Sequence, residues 1–420
     1  MTKRLNQLKE LAQSFNKTIA LIEVVAPFKR KDSDAWKELN NENGLFLWGS
    51  NRISQFEELV KNFLNYDNEI SSSLSKQTIE NRIIDLLCKS YLSKSPINQG
   101  EVEILLNDFQ SIPNEEWEVF RILRGAKLSS KIPLELGPYK IYSWSLHQSI
   151  LMTQYSEDEN CSEDENWWQS CVFTESNELL ISSKATARDA SKAREIADSK
   201  FRQFENIIRY MLGNKSGQVD IGIFDYHSPS ISKSLSMSLT RKGGASNLQG
   251  SYVPVDLNDS YFIDPQRGHA WIWNVLQQSS LFELQKKIVA AIEWIGKGVR
   301  DTDPARSFVQ FTFALEALLT FNEKGTLVSP SVASQLAEFS AFLLGKDCEE
   351  RIQVEKTVKR LYSIRSAIAH GGSQSVSEEV VKEALSLVKS LIIRMTTDSE
   401  LCEINSMNQL KTWVNQKKYS

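Results

Sequence analysis

The helix that ends in LYSIRSAIAHGG carries a guanidinium where a helical core should be apolar. At 100° per residue, Val354, Val358, Leu361, Tyr362, Ile368 and Ala369 fall within about 60° of Arg365, so Arg365 occupies the middle of the apolar stripe. A guanidinium cannot shed its charge by losing a proton. Removing it from water without an acceptor would cost several kcal/mol, on the order of a domain's whole stability. Arg365 must therefore meet a carboxylate, a phosphate or a subunit interface.

The same projection singles out Glu316. Its segment, FVQFTFALEALLTF, has no other charge after Arg306, and Val309, Phe313 and Leu319 share its face. Glu316 is a candidate partner for Arg365, either as part of a site or as one half of a purely structural ion pair. His370 follows Arg365 by five residues, about 140° around an ideal helix. Gly371 and Gly372 come next, and glycine after the last periodic residue ends helices. His370 is thus expected in the final turn, where the backbone can redirect the imidazole and the helix dipole favours its protonated form.

The surroundings suggest an α+β chain in several parts. Up to residue 126 the periodic segments, among them RLNQLKELAQSFNKTIALIEV and TIENRIIDLLCKSYL, predict a helical N-terminal region. Between 127 and 262, short β-like runs such as YKIYSWSL, ELLISSKAT, VDIGIFDY and SLSMSLT are separated by Gly, Ser, Asn and Pro. One long helix from about Ala187 to Leu212 interrupts them, which predicts a mixed α/β middle domain. From 263 to 400 the pattern is helical with short loops, as in a bundle of antiparallel neighbours, and 401–420 reads as a tail. Asp347 and Ser377 are candidate helix caps.

Composition narrows the chemistry. Lys plus Arg number 49 against 53 Asp plus Glu, so the net charge of -4 offers no bulk attraction for long duplex nucleic acid. Any such partner has to be gripped locally. The five cysteines are widely spaced with no CxxC pair, which fits a reducing cytoplasm and no zinc site. The N-terminus reads as a charged amphipathic helix rather than a signal peptide, and no apolar run is long enough to span a membrane. The SEDENCSEDEN stretch is read as a solvated loop, and Trp167 and Trp168 beside it as packing or a recognition surface. His147, His227 and His269 are isolated and are assigned no chemistry.

The string LYSIRSAIAHGG, with FALEALL about fifty residues earlier and AIEWIGKG before that, resembles the HEPN superfamily, in particular its Apea-like branch. The family motif is an Arg, four to six residues and a His, here Arg365 to His370. The resemblance covers His269 to Asp398, whereas the first 260 residues match no family that can be named. It implies a helical bundle that dimerises through the motif helices, and a metal-independent endoribonuclease of toxin or anti-phage defence systems that needs no cofactor. Arg365 and His370 would be the catalytic pair, with Ser366 in a polar slot that many relatives fill with Asn, Asp or His. The preceding region would be a variable sensor or targeting region, with a phage-derived or nucleotide trigger.

The side chains suit that chemistry. RNA carries its own nucleophile, the 2′-hydroxyl, so the protein need only move protons and neutralise the crowded phosphorane. His370 would be the acid or base and Arg365 the phosphate clamp, leaving a 2′,3′-cyclic phosphate end. Tyr362 could stack on a base, bind phosphate or simply pack. Lys356, Lys359 and Arg360 could steer RNA or form a solvated basic face. Two other classes remain open: a catalytically silent dimerisation or RNA-binding module, and a sensor of a nucleotide or other small ligand. Between residues 270 and 400, fifteen basic side chains meet sixteen acidic ones, which argues against indiscriminate RNA binding and leaves room for a small, specific cleft.

Overall fold

A computed structural model describes residues 2–24, 35–40, 42–155, 179–213, 221–226, 232–237, 244–249, 254–321, 331–371 and 375–419. The SEDEN repeat, Trp167, Trp168, Cys161, Cys171 and His227 lie outside the described residues. The chain is α+β, and it divides into two compact units. One unit comprises Met1–Val119 with Lys184–Ser199, the other Phe120–Ser183 with Lys200–Ser420.

In the first unit, helices α1 (Thr2–Ile19), α2 (Ser50–Tyr66), α3 (Asn68–Ser73), α4 (Lys76–Ser93) and α5 (Gln99–Ser111) surround a core that includes Phe15, Phe56, Phe63, Leu87 and Phe109. Phe63 meets Phe15 and Phe109 edge to face, with ring centroids 6.5 and 5.6 Å apart. The helix starts are chemically specified. Asp67 and Ser75 cap α3 and α4, and Asn98 with Glu101 forms a capping box on α5. The region up to 126 is helical as expected and also carries a three-stranded antiparallel sheet, in the order β1-β3-β2, formed by β1 (Glu23–Val24), β2 (Trp36–Asn40) and β3 (Leu45–Trp48). Gly44, at φ 62°, supplies the left-handed turn between β2 and β3, and Leu45, Phe46 and Leu47 are buried.

Strand β4 (Glu115–Leu123), β8 (Leu179–Ala187) and helix α7 (Ala190–Leu212) each contribute residues to both units. Strands β4 and β8, with β6 (Leu134–Leu136) and β7 (Tyr139–Ser143), make a four-stranded sheet of order β4-β8-β7-β6. Strand β5 (Ala126–Lys127) pairs in parallel with β11 (Val255–Asp256), and β9 (Ser232–Met237) pairs antiparallel with β10 (Gly244–Gln249). Of the predicted β-runs, VDIGIFDY forms no strand among its described residues. Its Gly222 makes a single bridge to Arg124. The run YKIYSWSL turns helical at α6 (Trp144–Tyr155).

The remainder of the second unit is all-helical: α8 (His269–Leu276), α9 (Glu283–Arg300), α10 (Pro304–Leu319), α11 (Val332–Leu344), α12 (Cys348–Gly371), α13 (Glu378–Thr397), α14 (Ser399–Cys402) and α15 (Met407–Tyr419). The expected tail is therefore helical, since Met407, Leu410 and Val414 recur on one face and are buried. Asp303 caps α10, with Pro304 in the first turn, and the Asp347 side chain accepts from the Glu350 amide at 2.9 Å at the start of α12. Ser377 takes the cap position of α13, although its side chain makes no cap bond. Glycine fixes how closely α9 packs. A Cβ at Gly296 would stand 2.3 Å from the Asn206 carbonyl on α7, and one at Gly298 2.4 Å from the Phe311 ring on α10. These contacts override the helix propensity lost by placing glycine mid-helix.

Two of the isolated histidines are structural. His147 is fully buried, its Nδ1 accepting from the Ser143 amide at 2.9 Å while Nε2 faces the Ser130 carbonyl at 3.1 Å. His269 Nδ1 lies 2.6 Å from the Tyr261 carbonyl. Burial holds both imidazoles below the ordinary histidine value, so the folded state favours the neutral ring. The unfolded chain takes up protons as pH falls through about 6.5, and the stability contributed by the neutral rings is lost from there downwards. Urea unfolding at pH 7.5 and 5.5 should show wild type losing stability on acidification and His147→Gln losing less. An equal loss in both would contradict this assignment.

Candidate functional site

Helices α10 and α12 pack together, and at that contact Arg365 Nε lies 3.3 Å from Glu316 Oε1, the pairing expected from the helical projection. The side chains are 23% and 24% exposed. The facing atoms, Nε and Oε1, are both buried, yet neither makes a hydrogen bond, so the contact is a charge pair without aligned donor geometry. The guanidinium carbon stands 5.4 Å from the centre of the Phe313 ring and 5.7 Å from that of Tyr362. Arg365 is thus held by two aromatic rings and one carboxylate. Its terminal nitrogens make no hydrogen bond among the described residues and remain in contact with solvent. Burial pushes the Glu316 carboxyl above the ordinary glutamate value, and the neighbouring guanidinium offsets only part of that rise.

A second buried pair in the same unit directs its hydrogen bonds to the backbone. Glu205 and Arg209, 2% and 6% exposed, lie 3.5 Å apart on α7. Glu205 Oε1 accepts from the amides of Ile223, Phe224 and Asp225 at 2.6, 3.1 and 3.3 Å, while Arg209 donates to the Asp225 carbonyl at 3.0 Å. Those charges fasten the 221–226 turn by spending their hydrogen bonds on its backbone. The charges of Arg365 and Glu316 have no such backbone partners among the described residues, so Arg365 keeps donors free for another anion.

The remaining expected site residues fall into separate groups. Tyr362 is half-buried beside the guanidinium, and Ser366 is half-buried one residue further on. His370 is exposed in the final turn, with no hydrogen bond or ion pair among the described residues. Helix α12 stays regular through Gly371, so no backbone break turns the imidazole towards Arg365, and the expectation of redirection is corrected. Within one copy the two side chains point about 140° apart. The basic residues are not a free face. Lys359 pairs with Glu355 and Arg360 with Glu383, while Lys356 is exposed.

Trp294 and Lys297 were not anticipated. Trp294 on α9 is half-buried and meets Phe313 edge to face at 5.2 Å, and Lys297 Nζ lies 4.5 Å over the indole. A continuous series of cation–ring and ring–ring contacts therefore runs from Lys297 through Trp294, Phe313 and Arg365 to Tyr362 across three helices. The sequence signal was the Trp-x-x-Lys spacing, which also fits ordinary amphipathic packing.

Other reactive groups in the second unit are absorbed by the fold. Lys389, whose ammonium burial lowers to about 8, donates to the Tyr210 carbonyl at 2.8 Å and closes the end of α7. Lys287 donates to the Thr320 carbonyl at 2.6 Å and closes α10. In the first unit, burial pushes the Cys88 thiol up to about 11, far from a reactive thiolate. Among the described residues no cluster of three or more His, Cys, Asp or Glu could hold a metal, and no helix is long and apolar enough to cross a membrane. A groove of about 290 Å³ lined by Asp301, Ser307, Glu378 and Lys382 includes neither Arg365 nor His370.

Comparison with protein-family models, curated proteins and solved structures finds no match for this chain. The weight of the site therefore rests on its geometry. Because folding raises the Glu316 value, the folded state holds that proton more tightly than the unfolded chain does. Glu316 then costs stability progressively as pH rises from the ordinary glutamate value upwards. In urea unfolding across pH 4 to 7.5, wild type should lose stability relative to Glu316→Gln as pH increases. A difference independent of pH would show that the carboxyl is not held in this environment.

Proposed function

We propose that the chain is a metal-independent endoribonuclease of HEPN type, acting as a homodimer through α12, with Arg365 and His370 as its catalytic groups. The observation that carries this reading is a half-buried guanidinium, fixed by two rings and a carboxylate, whose outer nitrogens remain unspent. Such a group is prepared to meet the non-bridging oxygens of a phosphate. Glu316 and the rings set its orientation before substrate arrives, which is how a site stabilises a developing phosphorane without reorganising. His370, exposed at the helix end, would accept the 2′-hydroxyl proton or return one to the leaving 5′-oxygen.

The angular separation of the two groups on one helix supports a site shared between copies. Ile364 and Ile368, one turn apart and half-buried, lie on one side of Arg365 and would give a two-fold seam its apolar contact. In that assembly an imidazole from one copy would serve a phosphate held by the other copy's guanidinium. The first unit would then sense a phage-derived or nucleotide trigger in a cytoplasmic defence or toxin setting. A second reading has one observation in its favour: His370 has no contact that orients it among the described residues, as befits a silent RNA-binding or dimerisation module.

Incubation with total RNA in excess EDTA separates the two. The nuclease reading expects fragments with 2′,3′-cyclic phosphate ends, a loss of about 10²–10³-fold in rate for Arg365→Ala and about 10²–10⁴-fold for His370→Ala. RNA binding with no scission by wild type would favour the silent module, and cleavage that survives both substitutions would refute the assignment.

A further inference from the structure

Resting on the ribonuclease reading, we propose that Trp294 and Lys297 form a subsite for a single-stranded nucleotide: the base next to the phosphate at Arg365 stacks on the indole, and Lys297 takes the following phosphate.

Five observations carry the assignment. Steps of 5.4 Å and 5.2 Å lead from the guanidinium carbon through Phe313 to the indole, a span that one nucleotide covers between a phosphate and a neighbouring base. The indole is only half-buried, and its N–H makes no hydrogen bond among the described residues, unlike the Trp273 N–H, which donates to the Phe262 carbonyl at 2.7 Å. Lys297 is exposed and lies over the ring at 4.5 Å, so a cation already occupies the face a base would cover and can swing from ring to phosphate. The neighbouring carboxylate, Glu293, is engaged elsewhere, accepting from Gln203 Nε2 at 2.8 Å, and so leaves this face without a competing anion. The close contacts at Gly296 and Gly298 hold α9 against α7 and α10, which makes Trp294 a rigid platform.

This juxtaposition of a cation and a half-buried ring resembles the arrangement by which proteins hold single strands with little sequence preference, the cation following the backbone and the ring taking a base face. Duplex RNA keeps its bases stacked on one another and offers none to an indole. The occupant is therefore an unpaired stretch of RNA.

The test uses the full-length protein in EDTA and a short oligonucleotide with one ribose at the cut position, alongside the same oligonucleotide made abasic on either side. Trp294→Ala should raise KM about tenfold while kcat changes much less, and Trp294→Phe should recover most of the loss. Making one flank abasic should cost wild type a similar factor and cost Trp294→Ala nothing further. Lys297→Ala, at an exposed position, should lower the slope of log affinity against log salt by about 0.7. An unchanged KM in Trp294→Ala, abasic and alanine losses that multiply, or conversion of a dimer to a monomer by Trp294→Ala in sedimentation would each overturn the subsite. Failure of the nuclease reading is read separately, from an oligonucleotide made 2′-deoxy throughout. If wild type cuts nothing but binds this strand in a Trp294-dependent way, the subsite stands without catalysis, and absence of binding overturns it.

Discussion

The charge pair between Arg365 and Glu316 organises the helical end of this protein. It joins α10 to α12 at a point where both helices are otherwise apolar, and it places a permanent cation between Phe313 and Tyr362. Desolvating two charges is unfavourable, and their mutual attraction compensates fully only when the remaining donors and acceptors are satisfied. Here the facing atoms are buried without an aligned hydrogen bond, and the carboxyl value is raised. An interaction left so incomplete in the free chain is intelligible if an anionic ligand completes it.

The contrast with Glu205 and Arg209 makes the point within one unit. Those charges are more deeply buried, and their hydrogen bonds run to a turn of backbone. The same residue types thus serve two ends, one consumed by the fold and one left partly open. Lys389 and Lys287 belong with the first kind, because each closes the carbonyl end of a helix.

Much of this organisation is legible in the sequence wherever a periodic pattern is long. The projection of LYSIRSAIAHGG and FVQFTFALEALLTF placed Arg365 and Glu316 on facing stripes, since a fixed 100° step and a single charge per stripe leave few alternatives. Short elements escaped. The sheet β1-β3-β2 is built from strands of two to five residues, too few for alternation to outweigh flanking helices, and its clearest signal was the Asn43-Gly44 turn. The α15 helix was hidden by a polar tail with only three buried anchors. Trp294 was not singled out, because periodicity reports which face a residue is on but not how completely a neighbour covers it. The orientation of His370 depended on where the helix ends, and Gly371 proved still helical.

If Arg365 and Glu316 are retained for chemistry rather than for strength, replacing both by apolar residues of similar size should not weaken the fold. The stability of the double variant Glu316→Leu/Arg365→Met in urea tests this most directly. The account predicts an unfolding free energy equal to or above that of wild type, because the desolvation of two charges is removed along with their attraction. A loss of about 3 kcal/mol or more would contradict it, since the pair would then be a strut of the bundle with no claim to be a site.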